Sequence, residues 1–285
     1  MLVLVNDSKY FDIIIQSLAE CLTELGIPYI LVSHITNYND NDNTYLICTT
    51  HENKPLPVNY ISYNFEQLTT NKKWDMIFFN KLRRAKFVLD YSLENMKLLK
   101  THNIEAIHLP LGYTKYMEHS LCINKEEGDL TYDFMFIGCI NNKRFSMLEK
   151  LFDYYLKLNK KEKLLINNSC WDNELVLAYK KSKIGINMHY YEGSTILEVH
   201  RIIPLILNKV WVLSERSDDS WYDEKYKKYI TFFNDKNDLL RKGLFTINKP
   251  FDDYKKEIDE RYNLFKENEA YVDYVKAIDI FCIPL

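Results

Sequence analysis

Short apolar runs alternate along this chain with longer stretches in which apolar residues return every three or four positions. Leu2–Val5 is an unbroken apolar run, the pattern of a strand buried on both faces. Asn6, Asp7 and Ser8 follow with the chemistry of a turn that caps a helix, and that helix is predicted to run to about Leu25. Ile14, Leu18, Leu22 and Leu25 share one of its faces, and Gly26 stops it. Further strands are predicted over 29–33, 44–50, 58–63, 87–90 and 107–109. Helices are predicted over about 74–84 and after Ser92, which caps with Glu94 in the first turn. Strands and helices alternating at this spacing predict a parallel, doubly wound sheet.

Residues 119–130 lose the periodicity and carry the charged, turn-rich run Asn124-Lys125-Glu126-Glu127-Gly128-Asp129, which reads as an interdomain linker. The alternation then restarts. Strands are expected over 134–138, 163–166, 184–188, 210–213 and 230–233. Helices are expected over 145–158, 174–181 and 237–243, with one more after Gly193. A long helical stretch, 252–281, closes the chain with a possible break near 267–269. The fold class that results is α/β with two Rossmann-like domains, 1–128 and 129–265.

Polar residues concentrate where the strand 184–188 gives way to a helix, in His189-Tyr190-Tyr191-Glu192-Gly193-Ser194-Thr195. In parallel α/β sheets ligands bind at such a junction, and free N–H groups at a helix start can hold phosphate. On this reading Gly193 lets the backbone approach a ligand and Ser194 and Thr195 open the helix. His189 can donate to a phosphate or a sugar hydroxyl, and Glu198 can accept from both hydroxyls of a ribose. Thr195 and Glu198 fit a capping box equally well, with Glu198 merely satisfying the helix start. Arg201, three residues beyond Glu198, is expected to pair with it. Tyr190 and Tyr191 fit either packing or ligand contact.

Composition narrows the partners. Thirty-seven basic and 40 acidic residues leave a net charge of −3, so there is no bulk attraction to nucleic acid or an anionic membrane. No apolar run approaches the about 18 residues of a membrane span, and Met1 opens directly on an apolar strand with no leader pattern. These features predict a soluble, cytoplasmic protein. Six cysteines (21, 48, 122, 139, 170 and 282) stand apart with no paired spacing, which predicts buried reduced thiols. Asp40-Asn41-Asp42 has the spacing of a metal-binding D-x-D, but it lies in an asparagine-rich loop and reads as a solvated turn.

The stretch SKIGINMHYYEGSTILEVHRI, followed by VWVLSE, resembles the donor site of GT-B glycosyltransferases. It is most similar to short enzymes with an N-x-H-Y-Y-E strand end, an L-E-x-x-R helix and a V-V-S-E strand. Tyr63–Leu68 with Ala85–Ser92 resembles the amino-terminal half of such enzymes, and Tyr132–Gly138 with Asn141 and Arg144 the start of the second half. Glu192 and Glu198 are separated by five residues rather than the seven of the retaining pattern, so the stereochemistry stays open. The resemblance implies two domains facing across a cleft, with the final helix, about 266–285, packing back on the first domain. It implies a UDP- or GDP-sugar donor, a saccharide or other hydroxyl acceptor, and no metal or other cofactor. Gly138, Asn141, Lys143, Arg144, His189, Tyr190, Tyr191, Glu192, Gly193, Ser194, Thr195 and Glu198 would form the donor site. Lys143 and Arg144 would neutralise the leaving diphosphate and Glu198 would hold the ribose. Asp7 and then Glu66 are the candidates for the general base, with His51 at another strand end. A nucleotide-sugar epimerase on the same fold and a catalytically silent nucleotide-sugar-binding scaffold are the alternatives.

Overall fold

A computed structural model describes residues 1–70, 74–278 and 280–281. The chain divides into two compact units, residues 117–268 forming one and residues 1–116 with the chain from Glu269 onward the other.

The first unit contains β1 (Leu2–Val5), α1 (Asp12–Glu24), β2 (Tyr29–Val32), β3 (Thr44–Ile47), β4 (Tyr60–Asn64), α2 (Met76–Arg84), β5 (Phe87–Asp90), α3 (Leu93–Thr101) and β6 (Ile107–His108). Its sheet has the order β2-β1-β3-β4-β5-β6, parallel throughout. Every residue of β1, β3 and β4 is buried, which is why Leu2–Val5 reads as an apolar run without alternation, while β4 also buries the polar Ser62 and Asn64. The edge strand β2 is half-exposed.

The second unit contains α4 (Ser120–Ile123), β7 (Tyr132–Ile137), α5 (Asn142–Lys157), β8 (Leu164–Asn167), α6 (Asp172–Lys181), β9 (Ser182–Asn187), α7 (Val199–Leu207) and β10 (Trp211–Glu215). It continues with α8 (Ser220–Tyr226), β11 (Thr231–Phe233), α9 (Lys236–Ile247) and α10 (Phe251–Asn268). Its parallel sheet has the order β11-β10-β9-β7-β8. Phe134, Phe136, Leu148, Ile184, Ile186 and Leu213 are at the centre of its core. After a break at Glu269 and Ala270, α11 (Tyr271–Ala277) rejoins the first unit, where Tyr271 accepts or donates to Tyr63 Oη at 2.9 Å. The last part of the expected final helix, like Cys282, lies outside the described residues.

Four sequence expectations change. Residues 117–128 belong to the second unit rather than the first. Asn208 accepts from His119 N at 2.9 Å and Lys125 Nζ donates to Lys209 O at 3.0 Å, so the expected linker is stitched down and carries α4. The first helix starts at Asp12, with Asp7 playing no part in its cap. The helix expected after Gly193 starts only at Val199. Cys139 is exposed, whereas Cys21, Cys48, Cys122 and Cys170 are buried.

Candidate active site

In a doubly wound sheet the chain leaves one central strand toward one edge and later returns to the other side. Crevices open at the carboxyl ends of the two strands where this reversal occurs. In the first unit that point lies between β1 and β3, and in the second between β7 and β9. The candidate site residues gather at these two places.

At the second switch point Gly138 follows β7 with φ 149°, a conformation that a side chain rarely adopts. A Cβ there would stand 3.2 Å from Arg201 Nη1 and 3.5 Å from Arg144 Nη1, so the missing side chain leaves room at two guanidinium groups. Asn141 caps α5 by accepting from Arg144 N at 2.9 Å, and its amide donates to Tyr190 O at 2.7 Å. The cap places Arg144 in the first turn of α5, where it is 2% exposed. Its Nη1 donates to Cys139 O at 2.8 Å, and Nε and Nη2 donate to Met188 O at 3.0 and 2.6 Å. One planar fork thereby ties the loop after β7 to the loop after β9. Burial pulls this guanidinium below its ordinary pKa, and Glu198 opposes the shift.

Glu198 is buried at the entrance to α7, 3.4 Å from Arg144 Nη2 and 3.2 Å from Arg201 Nη2. Its side chain accepts no bond from the helix start, so the capping-box alternative does not hold, whereas the expected pairing with Arg201 does. Burial pushes the carboxyl up, but Arg201 and Arg144, helped by His189 and His200, outweigh it and hold the group at about 2. Lys143 Nζ stands 3.0 Å from Glu215 Oε1 and donates to Tyr191 O at 3.4 Å. Glu215 Oε2 in turn accepts from His189 N at 2.9 Å. Three cations, Lys143, Arg144 and Arg201, therefore face two carboxylates, and Arg201 Nη1 is buried with no hydrogen-bond partner. Asn187 Oδ1 and His189 Nδ1 are also buried without partners. His189 Nε2 lies 3.1 Å from Arg216 O, which fixes the proton on Nε2 in the neutral ring.

Tyr190 and Tyr191 pack edge to face at 5.1 Å, and Tyr190 lies 5.2 Å from the Arg144 guanidinium. Glu192, Gly193 and Ser194 form an exposed loop ahead of this cluster. Thr195 N and Oγ1 both donate to Asp218 Oδ2, at 2.9 and 3.2 Å, so the N–H expected to receive a diphosphate is already taken. Asp218 and Glu215 were not among the sequence candidates. Only Glu215, at the end of an apolar strand, carried a sequence signal.

At the first switch point Asp7 follows β1. Its carboxylate accepts from Thr49 Oγ1 at 3.0 Å and pairs with Lys54 Nζ, which also reaches Thr49 Oγ1. One strand further along, His51 Nε2 stands 3.6 Å from Glu66 Oε1. Asp40 is taken up within its own loop. Its carboxylate accepts from Asn43 Nδ2 at 2.6 Å, Tyr45 Oη at 2.8 Å and Asp42 N at 2.9 Å, and these bonds hold it at about 2.

No protein-family model matches the chain. A stretch of 185 residues is 28% identical to an uncharacterised protein of Acanthamoeba polyphaga mimivirus. It covers 64% of this chain but only 58% of that protein's length. Solved structures of similar shape span nearly the whole chain. A glycosyltransferase from Rickettsia africae superposes with a TM-score of 0.60 at 10% identity, covering 99% of this chain and 98% of its own. WaaG, a glycosyltransferase involved in lipopolysaccharide biosynthesis, gives 0.58 at 9% identity and 99% coverage of both chains. HepE of Anabaena, solved with UDP and glucose, gives 0.60 at 7% identity, covering 100% of this chain and 99% of its own. The fold is that of GT-B glycosyltransferases. In GT-B terms the second switch point is in the carboxy-terminal Rossmann-like unit, and among the described residues no helix is long and apolar enough to cross a membrane.

Proposed function

We propose that the protein is a glycosyltransferase that moves a hexose from a nucleotide-sugar donor to a hydroxyl of a saccharide acceptor without a metal ion. The observation that carries this reading is the second switch point, where Arg144 and Arg201 share one carboxylate and Arg201 keeps a buried, unpartnered Nη1 above Gly138. A buried N–H donor left without an acceptor is costly, and a diphosphate oxygen would supply one together with counter-charge for the pair of arginines that share Glu198. Negative charge develops on the departing nucleoside diphosphate as the sugar leaves, so guanidinium groups fixed beforehand stabilise the transition state more than the ground state. Fixed cations fill here the electrostatic role of a divalent ion.

Within this reading Arg201 and the half-exposed Lys143 touch the diphosphate. Arg144, with its donors engaged by backbone carbonyls, holds the crevice in shape. Glu198 sets the two arginines rather than reaching a ribose, because it is buried between them. Tyr190 and Tyr191 offer aromatic faces to the nucleoside. The acceptor hydroxyl is assigned to the carboxyl edge of the first sheet. There Glu66, beside His51, is better placed than Asp7 to take a proton, because Asp7 is engaged by Lys54 and Thr49. HepE, whose structure holds UDP and glucose, makes UDP-glucose the first donor to try.

The test is a thermal-shift screen of UDP-, GDP-, CMP- and dTDP-sugars with and without EDTA, since a ligand of the folded state raises Tm by mass action. A shift with one nucleotide family that survives EDTA is expected. A shift abolished by EDTA would overturn metal independence, and no shift with any donor would overturn the donor site.

A further inference from the structure

Asp90 ends β5 with its side chain fully buried in the first unit. Its Oδ2 accepts from Asn64 Nδ2 at 2.7 Å. Its Oδ1 accepts from Ser92 N at 2.8 Å and Asn95 Nδ2 at 3.0 Å. Both asparagines are buried, and each turns to the same neighbour. Asn64 Nδ2 also donates to Glu66 O at 3.1 Å while Asn64 Oδ1 accepts from Glu66 N at 3.2 Å. Asn95 Nδ2 donates to Glu66 O at 2.8 Å and Asn95 Oδ1 accepts from Leu68 N at 2.8 Å. An amide side chain has two ends of opposite character, and only an acceptor at position 90 turns both NH2 ends inward and leaves both oxygens for the N–H groups of Glu66 and Leu68.

We infer that Asp90 is the positioning residue of the 64–68 turn: its ionised carboxylate sets the sense of the Asn64 and Asn95 amides and so fixes where the Glu66 side chain stands against His51. The asparagines supply the geometry and the carboxylate supplies the direction. Protonation would place an O–H among three N–H donors, so at least one amide would lose its place and release an N–H of the turn. Burial raises the Asp90 carboxyl to about 7, against its bonds from Ser92, Asn64 and Asn95, which puts the change of state in a readily sampled range. The neighbouring elements carry their own titratable groups. His108, its register partner on β6, lies 3.0 Å from Tyr91 O through Nε2. On α3, Glu94 pairs with Lys97, and on the turn itself Glu66 faces His51. The consequence for acceptor activation rests on the proposed function; the turn itself is testable without any ligand.

The experiment is residue-resolved amide hydrogen exchange between pH 5.5 and 8.5 on the whole protein, corrected for the intrinsic pH dependence of exchange. The β1 amides serve as an internal reference for global opening. Protection of the Glu66 and Leu68 amides is expected to rise about tenfold or more with pH, with a midpoint near 7, relative to β1. In Asp90→Asn that pH dependence is expected to disappear, with protection held at the low value. A flat wild-type profile overturns the inference even if Asp90→Asn does not fold. So does a titration that persists unchanged in Asp90→Asn, which would assign it to His51 or His108. Failure of the proposed function would appear instead as absent nucleotide-sugar binding with this profile intact.

Discussion

At the switch point of the first sheet the bridging cation is Lys54, which joins Asp7 after β1 to Thr49 after β3. At that of the second it is Arg144, which joins Cys139 O after β7 to Met188 O after β9. Lys54 is a flexible point charge, about a quarter exposed, and it meets two carboxylates, Asp7 and, at 3.4 Å, Glu52. Arg144 is a buried planar fork spending its donors on neutral carbonyls, so the Glu198 charge must serve it and Arg201 together. In the first crevice Lys54 faces the carboxylates of Asp7 and Glu52, with Glu66 and His51 beside them, whereas in the second three cations face two carboxylates. The contrast is between a carboxylate-rich crevice in one unit and a cation-rich one in the other.

The sharpest way to break this contrast is to remove the fork. Arg144→Met leaves Glu198 short of a partner and strips buried carbonyls at Cys139 and Met188, and breaking a buried ion pair costs about 3–5 kcal/mol. The expected outcome is a loss of that size in denaturant unfolding, with no detectable thermal shift from any nucleotide sugar. Arg144→Lys should restore little of either, since an ammonium cannot reach both loops in one plane. A stable Arg144→Met that still binds donor would mean that the fork is ornamental.

Glu198 gives the next effect, and its sign can be worked out. The folded carboxyl titrates at about 2, whereas an unfolded glutamate titrates near about 4.3. A depressed folded pKa contributes stability that is present above the unfolded value and is lost as pH falls toward the folded one. A gap of about two units corresponds to on the order of 3 kcal/mol. Wild-type stability should therefore fall between about pH 4.3 and 2 more steeply than that of Glu198→Gln. At pH 7 the variant should be the less stable. Parallel acid limbs in the two unfolding curves would show that the arginines do not depend on this carboxylate.

Arg201 should separate binding from stability. Hydrogen bonds to charged groups contribute about 1.5–3 kcal/mol, so Arg201→Gln should weaken whichever nucleoside diphosphate binds by about 10- to 100-fold, and the matching nucleoside hardly at all. Calorimetry with both ligands reads the difference, and an equal loss for both would move the diphosphate away from Gly138.

How far the sequence reveals these two crevices depends on the range of the interactions. A strand buried on both faces, such as Leu2–Val5, announces itself as an apolar run, and Ser92 as a cap, because these are properties of a few adjacent residues. The late start of α7 was not legible, since Thr195 is held out of the helix by Asp218, 23 residues away. Nor was the loss of Asp7 as a helix cap, because its carboxylate is claimed by Lys54 across the neighbouring strand. Arg201 was legible as the partner of Glu198, but the buried Nη1 left over depends on Gly138, 63 positions earlier in the chain, and on the conformation it adopts. Local chemistry predicted the frame, and contacts across the sheet decided the roles.

The smallest effect belongs to the first crevice. Lys54→Met removes the cation from Asp7 but leaves Thr49 Oγ1 bonded to the carboxylate. A partly exposed ion pair contributes about 0–1 kcal/mol because water solvates either partner alone, so stability should change by no more than about 1 kcal/mol, and less in high salt. Donor affinity should be unchanged, because Lys54 plays no part in the second unit's charge balance. Should Asp7 rather than Glu66 take the acceptor's proton, freeing it from Lys54 would change the pH dependence of transfer, whereas Glu66→Gln would leave transfer intact. The opposite pair of results, an unaltered profile in Lys54→Met and lost transfer in Glu66→Gln with donor binding retained, is the one expected. A loss of about 3 kcal/mol or more in Lys54→Met would put this crevice on the same footing as the buried arginine fork, and the division between a solvated lysine bridge and a buried arginine one would fall.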